Sequence, residues 1–496
     1  MKTYILNAII IVASALMAYI AVRWVYFKVL KIAKDKDLVD NPDARKLQKT
    51  PVPVMGGIAV FFGIVTGVAS GLVLNFFFGY GDVFALMPII LAMVVMLYTG
   101  AMDDIIGLTP NIRFVVEILS IIGIVFGSGT CINSFHGLWG VGTFDWYLAV
   151  ALTVFAGVGI INAINMIDGV NGLSSGLCIA CCIVYGCIFI SVGDLTNAML
   201  AFVVAASLFP FLLHNVFGLR SRMFIGDAGT MMMGVILAWF TICLLRSDSV
   251  VASNPKFLNA NVIAMALAIL SVPVFDTIRV MTMRILKGMS PFHPDKTHLH
   301  HVFVNIGCSH SITSLLEIGI NLAVFGIWRL SYYLEASIGW QLYIVIIAAV
   351  ILVWGTYFFI SNQIKHHTDT MHKLAYYSIS TNLGHKNWWI SLQMFLDRRE
   401  IVDVKPVEIK VTQSSHVIKF DSDPENYKDQ DRKKILEFMK GKAEVYVDDI
   451  EKRSGAEKLR IYPILFEGEM AGYIKVITRS GLGSPEIVTL ADDVSF

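Results

Sequence analysis

Residues 146–173 read WYLAVALTVFAGVGIINAINMIDGVNGL. The first twenty are apolar enough and long enough to cross a bilayer as a helix. The run ends in a polar cluster, Asn162, Asn165, Asp168 and Asn171, set among turn formers. A connector between helices is the plain reading of that cluster. However, Asn162 and Asn165 fall inside the end of the span itself, where side-chain amides are costly and often functional. The stretch therefore predicts a helical membrane protein with a polar site at one face.

Ten further runs of the required length surround it. The expected spans are 4–27, 54–78, 84–102, 113–130, 146–165, 174–193, 196–216, 229–246, 260–281, 313–333 and 339–360. The fourth contains Glu117. The first resembles a cleaved leader in Lys2 and Ala13-Ser14-Ala15, but its apolar run continues, and an uncleaved span is expected. Charge is divided unevenly. Of residues 1–360, 36 are charged, against 41 of residues 361–496, so about 10% and 30%; an ordinary soluble domain has about a quarter. The expected fold is an all-α polytopic membrane protein with about 11 transmembrane helices, plus a C-terminal cytoplasmic α+β domain. The expected domains are a transmembrane catalytic domain over 1–360, a juxtamembrane linker over 361–400 and a soluble domain over 401–496.

This composition, 56% hydrophobic with a net charge of +1, excludes a disordered chain and gives no reason to expect nucleic acid. Cys178, Cys181, Cys182 and Cys187 share one apolar segment and read as small hydrophobes. Short-loop cations fix the expected orientation. Alternation puts thirteen Lys and Arg on one side, from Lys28 to Lys296, and three, Lys2, Arg246 and Lys256, on the other. The first side is then cytoplasmic, the N-terminus outside and the tail cytoplasmic.

The same alternation brings four polar clusters to the cytoplasmic face. They are Asp103-Asp104; Asn162 to Leu173; Gly226-Asp227-Ala-Gly229-Thr230; and His293-Pro-Asp295-Lys296-Thr-His298-Leu-His300-His301. Asp103-Asp104 could mark only the water interface, Asp227 a helix cap, and the histidines a solvated run. As a set they suit phosphate chemistry. Carboxylates suit a hard divalent cation that bridges phosphates, Lys and His suit the remaining charge, and a helix start suits a phosphate. An apolar body suits a lipid co-substrate. Phosphoryl transfer from a nucleotide to a membrane lipid follows, with Mg2+ (or Mn2+) as the expected cofactor.

The motifs resemble those of the polyprenyl-phosphate N-acetylhexosamine-1-phosphate transferases, the superfamily that includes phospho-MurNAc-pentapeptide transferase. The likeness runs from Asp43-Ala-Arg45-Lys46 and Pro51 to Gly57, through Asp103-Asp104-Ile-Ile-Gly107, Asn162 to Leu173, Phe224-Ile-Gly226-Asp227 and Phe275-Asp276-Thr277, to the His-Pro-Asp-x-x-His-x-His-His run at 293–301. It implies transfer of a sugar-1-phosphate from a UDP-N-acetylhexosamine, most simply UDP-GlcNAc, to undecaprenyl phosphate. UMP leaves, and the lipid-linked sugar starts a cell-surface polysaccharide such as lipopolysaccharide O-antigen or cell wall.

The resemblance also implies roles. Asp103, Asp104, Asp168, His298, His300 and His301 are the expected catalytic residues. Asp227, Asp103 and Asp168 are the expected metal ligands. Arg45, Lys46, Lys49, Asn162, Asn165, Asn171, Phe224, Asp276 and Lys296 are the expected substrate contacts, Phe224 and Asn171 at uridine, Arg45 and Lys46 at the lipid phosphate. Three positions depart from related patterns: Ile106 where some relatives have a third aspartate, Asn171 for Asp, and Thr230 for Ser. The implied location is a bacterial inner membrane, and a homodimer is kept open. A secondary transporter with a carboxylate-lined site and phospho-MurNAc-pentapeptide transfer are the alternatives.

In the tail, Ile401 to Val411 and His416 to Phe420 read as strands and Asp431 to Lys440 as a helix. Arg460 to Phe466 and Met470 to Thr478 read as a hairpin around Glu467-Gly468-Glu469. Trp388-Trp389 is expected at the membrane surface.

Overall fold

The computed structural model describes residues 2–40, 51–78, 83–291, 296–366, 386–401, 427–454, 458–479 and 485–491, with a few isolated positions between them. They form two compact units, one of residues 1–302, 310–358 and 383–402, the other of residues 303–309, 359–382 and 403–496. The chain is a multi-pass helical membrane protein. Among the described residues ten helices are long and apolar enough to cross a bilayer, or eleven when one bent pair counts as a span.

The first unit carries α1 (Lys2–Asp35), α2 (Gly56–Phe78), α3 (Met87–Ile106), α4 (Pro110–Ser128), α5 (Trp146–Met166), α6 (Leu173–Val192), α7 (Leu195–Phe217) and α8 (Gly226–Leu245). Every residue of α8 from Ala228 to Leu245 is buried. Its sequence is apolar all round, which is what a helix at the centre of a bundle requires. Helices α2, α3, α5 and α6 pack around it. Short strands β1 (Val39–Asp40) and β2 (Val52–Pro53) pair antiparallel in front of α2. Val54 then bridges to Phe224, just ahead of α8.

The ninth expected span is broken. Helices α9 (Val262–Ile269) and α10 (Ser271–Leu286) meet at 79°. Pro273 explains the break, because it has no N–H to give the Ile269 carbonyl four residues back. That carbonyl instead accepts from Asn321 Nδ2 at 2.8 Å and from the Cys181 thiol at 3.2 Å. Asn321 Oδ1 in turn accepts from Val272 N at 3.0 Å and Ser271 Oγ at 3.1 Å. A broken helix survives within a membrane only where such groups are satisfied inside the protein. Asn321 lies on α12 (His310–Tyr333), which follows the short α11 (Leu299–Asn305). The last span is α13 (Ile338–Ala349), a π-helical turn at Val350–Gly355 and α14 (Thr356–His366). Helix α15 (Asn387–Ile401) also lies in the first unit.

The second unit contains α16 (Tyr427–Met439), α17 (Val447–Ser454) and α18 (Lys458–Met470). Strands β4 (Val445–Tyr446), β5 (Ile474–Arg479) and β6 (Pro485–Leu490) form an antiparallel sheet in the order β4-β6-β5. The strand pair β3 (His416–Val417) and β7 (Val494–Ser495) is parallel. The expected hairpin is wrong in its first half. Arg460 to Phe466 is helical, within α18. Ile461, Ile464 and Leu465 are all buried, a spacing of three and four that faces one side of a helix rather than alternating as a strand does. Strand β5 pairs instead with β6, with Val476 opposite Val488. Ile401 closes α15 rather than opening a strand; residues 402–411 and 418–420 lie outside the described residues. The helix expected at Asp431 is α16, which runs from Tyr427 to Met439.

Candidate active site

Three helix ends meet where the sequence clusters converge: the C-terminal ends of α3 and α5 and the start of α8. Gly226 opens α8 with φ +72, a conformation open to glycine at little cost. A side chain there would also strike the Asp104 carboxylate. Asp104 Oδ1 accepts from the backbone N–H of Asp227 at 2.9 Å, and Oδ2 from that of Ala228 at 3.2 Å. Asp104 thus caps α8 from a neighbouring helix. Two amides expected to face a phosphate are already engaged.

Asp103, one residue earlier, turns the other way. Its Oδ1 accepts from Leu108 N at 2.6 Å, and its Oδ2 pairs with Arg113 Nη1 at 2.6 Å. Arg113 is the fork of the site. Its Nη2 donates to Asn165 Oδ1 at 2.9 Å, and its Nη1 lies 3.8 Å from Asp227 Oδ2. Asn165 passes the connection on, donating from Nδ2 to Asp227 Oδ1 at 2.5 Å and to Thr230 Oγ1 at 2.8 Å. The Asp227 carboxylate is still about one-third open, at 34% side-chain exposure. The sequence reading took Arg113 as a loop cation. Its signal was position: a lone arginine ten residues after Asp103, at the mouth of an apolar span.

Asp168 follows α5. Ser174 Oγ donates to its Oδ1 at 2.5 Å. Asp168 is exposed to solvent, yet protein crowds its carboxyl, as in a group lining a recess. Loss of surrounding water raises its pKa to about 6, with the Asp227 charge adding to the rise and Ser174 opposing it. The next residue, Gly169, has no room for a side chain because His300 fills the space. The histidine run and the Asp168 turn are therefore in contact.

The run is held from beneath. His298 Nδ1 lies 2.8 Å from Asp276 Oδ2, which also accepts from Leu299 N at 3.3 Å. Asp276 Oδ1 accepts from Arg279 Nη2 at 2.6 Å and Nε at 3.2 Å. Arg279 Nη2 reaches the Thr297 carbonyl at 2.5 Å, and Tyr357 stacks on its guanidinium at 3.5 Å. The sequence reading put Asp276 at the substrate. The structure closes it off at 1% exposure, where it orients His298. The His298 and His300 rings stack at 5.6 Å, and His301 lies 4.4 Å from His300. Burial first, then its two histidine neighbours, hold His300 well below the usual histidine pKa, so it is neutral at pH 7. Its Nδ1 is buried without a hydrogen-bond partner among the described residues.

Other expected residues are more peripheral. Asn162 donates from Nδ2 to buried Glu117 at 2.5 Å and to the Val158 carbonyl at 3.0 Å. That pairing explains how an acid sits inside the fourth span. Asn171 is half-buried; its N–H donates to His310 Nδ1 at 3.3 Å and its carbonyl accepts from Ser314 Oγ at 2.8 Å. Phe224 is half-buried beside Val54, and Lys296 is exposed. Arg45, Lys46, Lys49, His293 and Asp295 lie outside the described residues.

Among the described residues no three carboxylates, histidines or cysteines stand close enough to enclose an ion unaided. A pair such as Asp227 and Asp168, open to solvent and mutually repelling, still suits Mg2+. That ion commonly takes one or two carboxylates and leaves its other positions to phosphate and water.

The chain is similar to known proteins. A family model described as glycosyl transferase family 4 matches residues 86–245. The undecaprenyl-phosphate alpha-N-acetylglucosaminyl 1-phosphate transferase of Salmonella typhi is 30% identical over 290 residues, 57% of this chain and 73% of that protein. The protein of that name in Escherichia coli (strain K12) is 31% identical over 288 residues, 56% and 72% of the two chains. The decaprenyl-phosphate N-acetylglucosaminephosphotransferase of Mycobacterium leprae is 31% identical over 316 residues, 60% and 77% of the two. The chain belongs to the family of polyprenyl-phosphate N-acetylhexosamine-1-phosphate transferases.

Proposed function

We propose that the protein transfers N-acetylglucosamine-1-phosphate from UDP-GlcNAc to undecaprenyl phosphate, releasing UMP, at the cytoplasmic face of a bacterial inner membrane. The observation that carries this reading is the convergence of Asp103, Asp168, Asp227 and Arg113 at the mouth of an apolar helix buried from Ala228 to Leu245. Acids at the ends of spans favour chemistry at a membrane face over transport, which needs them near the midplane. The asymmetry of loop cations supports the cytoplasmic side.

In the reaction a lipid phosphate oxygen attacks the β-phosphorus of the donor in line. The new phosphorus–oxygen bond forms as the bond to the UMP oxygen breaks. The phosphate monoester is already ionised at neutral pH, so no side chain has to take its proton. Asp227 and Asp168 are the residues that would hold Mg2+. Bound there, the ion would neutralise charge on the diphosphate and the leaving UMP. Asp103 aims Arg113, whose second nitrogen fixes Asn165 and, through it, Asp227. Asp104 holds the α8 end in place. Neutral His300, packed against Gly169, holds the histidine run against the Asp168 turn. Phe224 and Asn171 are assigned to uridine, Arg45 and Lys46 to the lipid phosphate.

The test is direct. Purified protein in lipid nanodiscs receives Mg2+, UDP-GlcNAc and undecaprenyl phosphate, and UMP is measured. UMP that depends on both lipid and cation supports the proposal. No UMP, with turnover of another UDP-sugar, would move the donor assignment; no UMP from any would overturn the reaction.

A further inference from the structure

Residues 218–223 link α7 to Phe224 and the start of α8, and an acid from far along the chain grips them. Asp397, on α15, is 5% exposed. Its Oδ2 accepts from the backbone N–H of Leu219 at 3.0 Å and of Arg220 at 3.1 Å. Its Oδ1 accepts from Ser221 N at 2.9 Å and Ser221 Oγ at 2.6 Å. Three successive amides around one carboxylate make an anion nest, here filled by the protein itself. Trp389 and Trp388 of α15 pack on Phe217, with ring centres 4.4 and 6.3 Å away.

The far side of the turn is held by α1. The Tyr26 hydroxyl donates to the Ser221 carbonyl at 2.7 Å, and Lys34 Nζ to the Arg220 carbonyl at 2.9 Å. Ser221 Oγ gives its one proton to Asp397, so His214 Nδ1, 3.0 Å away, donates to it. Three residues beyond the gripped turn, Phe224 joins the strand segment through its N–H to the Pro53 carbonyl at 2.8 Å and through its carbonyl to Gly56 N at 2.9 Å. Asp227 follows three residues later.

We infer that Asp397 is a positioning residue of the candidate active site, fixing through the 219–221 turn where Phe224 and Asp227 stand while touching neither. The juxtamembrane helix is then part of the catalytic architecture. A helix that merely lies on the membrane would not need a buried acid aimed at this turn. The inference rests on the proposed function for its kinetic consequence only.

The full-length protein in nanodiscs is compared as wild type, Asp397→Ala, Asp397→Asn and Ser221→Ala. Hydrogen exchange across residues 217–228 and steady-state kinetics for each substrate are the readouts. In Asp397→Ala, exchange should rise about tenfold or more through Phe224 to Asp227, not just at the gripped amides. KM for the nucleotide sugar should rise about tenfold, while KM for the lipid phosphate stays within about twofold. Asp397→Asn, which keeps one acceptor oxygen, should recover part of both, and Ser221→Ala should show the same pattern more weakly. Unchanged exchange overturns the inference, as does faster exchange confined to 219–221. A uniform loss of activity with a lowered melting midpoint, both KM values unmoved and no recovery in Asp397→Asn, would mean a purely structural role. If the wild type is inert with UDP-GlcNAc, the donor assignment fails, while exchange at 224–227 still decides the inference.

Discussion

Two neighbouring acids, Asp103 and Asp104, do different work because successive helical side chains point about 100° apart. One aims Arg113; the other caps α8. Asp104→Ala should therefore lower stability by about 1 kcal/mol, the usual cost of a lost cap, read as a drop in thermal midpoint in detergent. Asp227→Asn should leave that midpoint alone and cut turnover at least about a hundredfold, as expected when a metal-binding carboxylate is lost. Arg113→Lys should behave almost like Arg113→Ala, because one ammonium cannot hold Asp103 and Asn165 as a planar fork does; kinetics of the two variants side by side check this. At this scale the sequence made the acids legible, since carboxylates beside apolar runs stand out. It hid their division of labour. Nothing in the letters separates Asp103 from Asp104, and Asp276 looked as available as Asp227 until its burial was seen.

At the scale of elements, hydropathy alone marked every span, because twenty apolar residues in a row leave little choice. The bend between α9 and α10 was less visible. Pro273 hinted at it, but the splint that makes it tolerable, Asn321, lies about fifty positions away on another helix. Asn321→Leu should destabilise the protein by about 2 kcal/mol or more, since it strands Val272 N and Ser271 Oγ in apolar surroundings; equilibrium unfolding measures this. The first strand of the expected tail hairpin failed for the opposite reason. Residues 460–466 look strand-like locally, and only the core that collects Ile461, Ile464 and Leu465 reveals a helix. Asp397 was invisible because its partners lie about 180 residues upstream. Burial would raise its pKa, but hydrogen bonds from Ser221, Arg220 and Leu219 outweigh that and hold it below the usual carboxylate value. A depressed acid stabilises the fold above its unfolded pKa and loses that contribution as pH falls through its folded one. His214 and Arg222 lie within reach of its charge. Exchange protection at 219–221, corrected for intrinsic rates, should therefore hold down to about pH 4 and fail only below.

For the whole molecule, the uneven charge of the sequence reads as a membrane part and a water-soluble part; the chain folds as two compact units whose bounds differ from the expected domains, the second made of residues 303–309, 359–382 and 403–496. Residues 383–402 fold with the first unit. A chain ending at residue 402 should keep transferase activity within about twofold, whereas one ending at 380 should lose as much as Asp397→Ala does; UMP release from both truncations tests this. The broken ninth span has a reach of its own. Asp276 stands six residues past Leu270, a lever of about 9 Å at 1.5 Å per residue. Swinging that lever through 79° moves its tip by about 11 Å. A straight rod would carry Asp276, and the imidazole it steadies, about 11 Å from where they stand. The elbow, as much as the histidines, is what delivers them.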